Sequence, residues 1–346
     1  MLLLASAMLV VTLSAAPLIE TNEWWIRIWD YPRVQLLAVG SVILVALACF
    51  LRRERPETWT VFLFLVAALA FQAWRIAPYT PLGTIETALA RSPENRNCAS
   101  VLVANVYMEN RRTEALERMI RERKPSIVLL LENDAWWSRQ LDEIKQQYRH
   151  VIDRPQSNTY GLLFMTDLER ESIELRFLSS ESIPSIRADL KLPSGAPVRF
   201  YGVHPEPPRV AQDSDQRDVE LMLVAKEIRD FDGRVLVGGD LNDVAWSHTT
   251  RLFKRVSRTL DPRRGRGLYS SFHAEYPLLR WPLDHLFHTE DFEISYLEVL
   301  PYTGSDHFPV TGQFCLKGDA EDNRTQERMT SGDREDMRET IENRER

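Results

Sequence analysis

The sequence predicts an α/β domain, with a sheet covered by helices, carried behind three membrane-spanning helices. Three observations lead there. Residues 1 to about 80 are almost wholly apolar and are broken only by short polar connections. Ala99 to Leu131 then runs strand, amphipathic helix, strand, the order of a sheet with a helix on its face. Short apolar runs separated by polar or Pro/Gly breaks follow from Tyr160 to Val203, as in a meander.

The length of 346 residues leaves room for one large domain or two ordinary ones, and 44% apolar residues can build a core at a net charge of −7. Three cysteines, none in a Cys-x-x-Cys spacing, argue against a disulfide framework and against a cysteine-held zinc. No internal repeat is visible.

The anchor comes first. Leu2 to Ile19, Val34 to Leu51 and Trp59 to Trp74 are apolar runs close to the roughly 20 residues that cross a bilayer core. Trp24, Trp25, Trp29 and Tyr31 lie between the first two runs, where amphipathic rings favour the headgroup zone. Arg52, Arg53 and Arg55 in the next connection orient the chain with that loop in the cytoplasm, so everything after the third run is extracytoplasmic. The first run also reads as a signal peptide cut near Ala15-Ala16, which leaves the later domain on the same side. The expected location is a bacterial-type inner membrane, multi-pass.

The expected organisation is an anchor at 1–80, a linker at 81–97, a domain at 98–316 and a tail at 317–346. Pro81, Gly83 and Pro93 mark the linker. The tail is too poor in apolar residues to fold alone and is expected to be disordered, with a short helix around Glu335 to Glu345 formed on binding.

Within the domain, Val101 to Ala104 leads into Asn105. Arg112 to Lys124 is a helix with Leu116, Met119 and Ile120 on one face, stopped by Pro125. Ile127 to Leu131 ends at Glu132, and Val198 to Val203 ends at His204-Pro205. After a helix over Gln216 to Arg229, Arg234 to Val237 runs into Gly238-Gly239-Asp240-Leu241-Asn242, where glycine allows a sharp exit from the strand. Asp284 precedes a further strand, Asp306-His307 precedes the last one, and that last strand is Val310 to Leu316. Each residue has an ordinary explanation on its own: Asp-x-Asn forms Asx turns, and a strand-end Asn caps turns. Collected at the ends of apolar strands, they converge on one rim, which is where a site is built.

Together these segments resemble the endonuclease/exonuclease/phosphatase family, whose fold is DNase I-like. The segments are the strand to Asn105, the strand to Glu132, His204-Pro205, Gly239-Asp240-Leu241-Asn242, Leu283-Asp284-His285 and Ser305-Asp306-His307. The resemblance covers about residues 98 to 316. It implies a four-layer α/β/β/α sandwich of two mixed sheets and a metal-dependent phosphoester hydrolase. It also implies roles. Asp240 is the general base for an attacking water, and Asn242 orients it. His307 and His204 face the phosphoryl oxygens, with Asp284 holding the His307 ring. Glu132, Asn105 and Asp306 hold the metal. Hard oxygen donors suit Mg²⁺, with Mn²⁺ as the alternative.

Thr249 to Gly267 carries an excess of arginine, and Arg263, Arg264 and Arg266 are expected to form a basic lip for an anionic substrate. The substrate classes left open are nucleic acid and a phospholipid or phosphorylated small molecule at the bilayer. No obligate protein partner is expected. The rival function is a catalytically silent binding or sensor domain on the same anchor. The resemblance also sets the first and last strands side by side and antiparallel. With Asn105 opposite Phe308, Cys98 falls opposite Cys315, within disulfide reach, while a slip of one residue would turn them apart. Whether they are bridged stays open.

Overall fold

The computed structural model describes residues 1–19, 21–50, 55–90, 97–208, 213–317, 327 and 329–342. Its centre is a pair of packed sheets. The strands are β1 (Cys98–Asn105), β2 (Ile127–Leu131), β3 (His150–Arg154), β4 (Leu162–Thr166), β5 (Glu169–Phe177), β6 (Pro184–Lys191), β7 (Pro197–Val203), β8 (Val235–Asp240), β9 (Asp284–His288), β10 (Phe292–Val299) and β11 (Val310–Leu316). One sheet has the order β10-β11-β1-β2-β4-β3 and the other β5-β6-β7-β8-β9. Each is mixed: β1 with β2 and β7 with β8 are parallel, among antiparallel neighbours.

Strand alternation builds the layers. Val101, Val103, Leu129 and Phe164 point between the sheets and meet Ile186, Phe200, Leu236 and Leu286 from the other side. Leu102, Ala104, Val128 and Leu130 point outward, under helices that include Leu116, Ile120 and Trp137. This is why β2 is apolar throughout: both of its faces are covered.

The helices, in chain order, are α1 (Leu2–Ala15), α2 (Trp24–Arg27), α3 (Arg33–Phe50), α4 (Pro56–Ile76), α5 (Glu114–Arg123), α6 (Ala135–Gln140), α7 (Asp142–Lys145), α8 (Asp215–Asp230), α9 (His248–Ser257) and α10 (Ser331–Glu342). Helices α5 to α7 cover the first sheet, and α8 and α9 cover the second. The four layers expected from the sequence are present.

The parallel pairs β1–β2 and β7–β8 end on the same rim, because β1 and β8 pack against each other across the sandwich. Gly239 serves the pairing of β8 with β7 rather than a sharp exit. A Cβ there would lie 1.9 Å from the Val203 carbonyl oxygen, so only glycine lets β7 run so close. At the opposite end of β1 the register sets Cys98 against Cys315, and the two are joined by a disulfide. Cys49 is free.

The amino-terminal part departs from the expected three spans. Among the described residues one helix, Pro56–Tyr79, is long and apolar enough to cross a membrane. Trp24–Asp30 with Arg33–Cys49 passes only as a pair bent by 73°, and Leu2–Leu18 is too short. The composition of the first run is apolar, but its helix ends at Leu18, short of the roughly 20 residues that typically cross a hydrocarbon core. Helices α1, α3 and α4 pack together through Ala7, Val10, Leu47, Leu65 and Leu69. Residues 52–54 of the arginine connection lie outside the described residues.

Two further boundaries shift. The described part of the expected linker lies against the domain: Glu86 accepts from Lys254 at 2.7 Å, and Ala90 donates to the Ile294 carbonyl. In the tail, α10 is a helix docked on α8 and α9, with Met337 in their core and Asp333 paired with Arg255 at 2.6 Å. Its thin apolar face suffices because the rest of the domain is there to receive it, a point that an argument about folding alone misses.

Candidate active site

Asn105 ends β1 pointing between the sheets. Its Nδ2 donates to Glu132 Oε1 at 2.9 Å and to Asp240 Oδ2 at 3.2 Å, so one amide holds two carboxylates. Glu132 follows β2 with a φ of 61°, a left-handed conformation that costs a non-glycine residue about 1–3 kcal/mol. The turn brings its carboxylate to the rim. Burial pushes that carboxyl above its ordinary value. The Asn105 hydrogen bond offsets part of the rise, while Asp306 and Asp240 add to it.

Asp240 is buried at the tip of β8. Its Oδ1 accepts from the Asn242 backbone N–H at 2.9 Å, so the ordinary Asx turn is present. Its Oδ2 looks the other way, 3.5 Å from His307 Nε2 and 3.9 Å from His204 Nε2. The residue that closes the turn is also the one whose second oxygen faces the two histidines. Burial raises Asp240, and the imidazolium of His307 opposes the rise.

His307 Nδ1 lies 2.8 Å from Asp284 Oδ2. Burial disfavours the charged ring, but Asp284 and Asp240 outweigh it and hold the pKa up at about 10. His307 is therefore an imidazolium at neutral pH. His204 is the opposite case: burial lowers it, so the ring is neutral, and its Nδ1 is buried without a partner.

Ser305 escaped the sequence reading as a functional residue. Its Oγ donates to the Asn105 carbonyl at 2.8 Å and accepts from the His307 N–H at 3.0 Å, tying the β1 tip to the loop that carries Asp306 and His307. Its place in Ser305-Asp306-His307 was the available signal. Asn242 lies beside the site, but its side chain donates to the Pro205 carbonyl at 3.0 Å, fixing the His204 loop.

The three arginines of the expected lip are not a lip. Arg263 is buried, paired with Asp261 at 2.8 Å and set 2.6 Å from His285 Nδ1. Arg264 pairs with Glu86 and Glu327, and Arg266 donates to the Pro262 and Thr87 carbonyls. Their charges are spent within the chain, on the acids and carbonyls of residues 86–87, 261–262 and 327, although Arg264 and Arg266 are only half-buried.

The donor atoms of Asp240, Asp284 and His307 lie within 4.8 Å of one another, close enough for a metal ion. There, however, His307 already supplies positive charge between two carboxylates. Glu132 is different: burial, and after it the neighbouring Asp306 and Asp240, disfavour its ionised form, so the Glu132–Asn105–Asp306 side is where hard oxygen donors would gain from a cation. Oxygen donors of this kind fit a divalent cation.

An apolar groove of about 540 Å³ opens beside the site, with His307 and Asn242 at its catalytic end. Phe272, Trp281 and Leu279 form one wall, and Trp24, Ile28 and Trp29 from the amino-terminal segment form another. That segment is docked on the domain. Tyr31 Oη donates to the Asn242 carbonyl at 2.6 Å, Trp246 Nε1 to the Asp30 carbonyl at 2.7 Å, and Arg27 to Thr249 Oγ1 at 2.6 Å. The sequence marked these aromatics as a membrane-interface belt and carried no sign that they wall the site.

Solved structures share this architecture. An endonuclease/exonuclease/phosphatase family protein from Bacteroides thetaiotaomicron matches at 16% identity and a TM-score of 0.53, over 64% of this chain and 98% of its own. TDP2 of D. rerio, complexed with single strand DNA product, matches at 15% identity and a TM-score of 0.53, over 63% and 98%. The human Nocturnin catalytic domain with bound sulfate matches at 16% and a TM-score of 0.50, over 64% and 96%. At such identities the likeness is one of fold. Among curated proteins none matches. The Endonuclease/Exonuclease/phosphatase family model matches residues 102–307, from β1 to the imidazolium of the site, and the chain belongs to that family.

Proposed function

We propose that the protein hydrolyses a phosphoester by direct attack of water. The observation that carries this is the Asp240 carboxylate, buried and facing His204, His307 and Asn105 at once. Asp240 accepts a proton from water as the water oxygen bonds to phosphorus. The ester P–O bond breaks, and the departing alkoxide takes up a proton to leave as the alcohol. His307, kept charged by Asp284, offers Nε2–H to the phosphoryl oxygens, where charge builds. His204, neutral, supplies a second donor to the same group. Asn105 keeps Glu132 and Asp240 in fixed relation. Glu132, Asn105 and Asp306 would hold Mg²⁺ or Mn²⁺, which when bound neutralises phosphoryl charge and positions the ester.

In this reading the protein is membrane-anchored, in a bacterial-type inner membrane, with the catalytic domain on the outer side. The apolar helix Pro56–Tyr79 and the exposed Val42, Val45, Leu63 and Phe64 support the anchoring. The test is turnover by the purified full chain on a panel of phosphodiesters and phosphomonoesters, with and without Mg²⁺. Activity that requires the ion, with Glu132→Gln demanding more of it, supports the assignment. Wild-type turnover unaffected by chelator removes the metal, and no turnover on any ester favours the silent binding domain.

A further inference from the structure

The groove beside the site has the wrong chemistry for a polyanion. A nucleic-acid strand is held by Lys and Arg along its phosphates, yet among the described residues no Lys or Arg lines the groove, and of the arginines expected as a basic lip Arg263 is buried while Arg264 and Arg266 are half-buried and held by acids and carbonyls. Its walls are indole, phenyl and aliphatic carbon, and only its catalytic end is polar, at His307 and Asn242. One end suits a phosphoester and the rest suits hydrocarbon.

The groove's position agrees. One wall, Trp24 to Pro32, leads within one residue into α3, whose Val39, Val42 and Val45 are exposed apolar surface. The Tyr31, Trp246 and Arg27 contacts fasten this wall to the loop after β8 and to the first turn of α9. The groove therefore joins the reacting centre to the part of the molecule suited to a bilayer. A phosphoester bearing an aliphatic chain could lay its phosphate at His307 without the chain entering water.

We propose that the substrate is a lipid phosphoester and that the groove between the segment Trp24–Pro32 and the Phe272–Leu283 loop seats its hydrocarbon chain. This rests on the phosphoester-hydrolase reading and specifies its substrate class. Each methylene transferred from water into the groove tightens binding by about fourfold, until the groove is full.

The test uses the full chain in lipid nanodiscs, since detergent would compete for the groove. A series of chromogenic alkyl phosphodiesters with butyl to dodecyl chains is assayed with Mg²⁺, beside single-stranded DNA. KM is expected to fall by about an order of magnitude per added pair of methylenes and then level off, with DNA a poor substrate. Leu279→Asp, which puts a carboxylate in the wall, is expected to flatten that dependence, with its thermal melt checking the fold. Titration calorimetry with non-hydrolysable alkyl phosphonates of the same lengths reads the groove without turnover. Esters all cleaved with one KM, or DNA preferred over every ester, overturns the lipid proposal and leaves the hydrolase standing. Chain-length-dependent phosphonate binding without hydrolysis of any ester overturns the hydrolase and keeps the groove. Phosphonates that bind with no dependence on length remove the groove.

Discussion

Asp240 carries the catalytic argument at the scale of a single residue. Its two carboxylate oxygens do different work: one closes the turn to Asn242, and the other faces the histidines and Asn105. Asp240→Asn keeps the shape of the turn and removes the base. Turnover by the purified protein is expected to fall about 10²–10⁴-fold, with thermal stability close to wild type. Retained turnover would move the base elsewhere. That Asp240, Glu132, Asn105 and His307 belong together was legible because each follows an apolar strand or precedes one. That one oxygen of Asp240 closes the turn while the other faces the histidines was not, since only coordinates separate the faces of one carboxylate.

Among the elements, the stretch from α9 to β9 shows where a charge pattern misleads. Arg263 is consumed by Asp261, whose carboxyl burial would raise but whose arginine partner holds it down at about 2. A folded pKa below the ordinary value of about 3.9 means stability that is present above pH 4 and lost as pH falls through about 2, worth roughly 2 kcal/mol. Arg263→Met should cost more, about 3–5 kcal/mol at neutral pH, because it leaves Asp261 buried and unpaired. Urea denaturation measures it, and a change below about 1 kcal/mol would return Arg263 to the surface. In the sheet, the register of β1 with β11 decides the cysteines. In unreduced, denatured protein only Cys49 is expected to react with a thiol reagent. Breaking the bridge with Cys98→Ser and Cys315→Ser together should cost about 2–4 kcal/mol, since it closes a loop with a sequence separation of 217. Three reactive thiols would exclude the bridge.

For the whole molecule, the consequential fact is that the amino-terminal segment and the domain share one site. Under the proposed anchoring, orientation in the membrane bears on which leaflet could supply the proposed lipid substrate. A reporter active only outside the cytoplasm, fused after Ser92, is expected to be on, while a cytoplasmic reporter at the same point is silent. The reverse pattern would place the catalytic domain inside and overturn the arginine-based orientation.

Local chemistry explains what could be read directly. Period-two alternation and wholly apolar runs announce strands, and polar residues at strand tips announce a rim, because both follow from backbone geometry within a few residues. The register of β1 with β11 was legible too, once the family resemblance set the two strands side by side and a shared active-site end was assumed. Span length in the anchor, the inward turn of Arg263, the docking of α10 and the second use of Trp24, Ile28 and Trp29 were not. Each depends on a partner distant in the chain: Asp261 and His285 for Arg263, α8 and α9 for Met337, and Phe272 and Trp281 for the aromatic wall. An apolar or charged side chain declares what it needs, but folding chooses which distant surface supplies it, since hydrophobic contact is non-directional and charge pairs wherever it is buried.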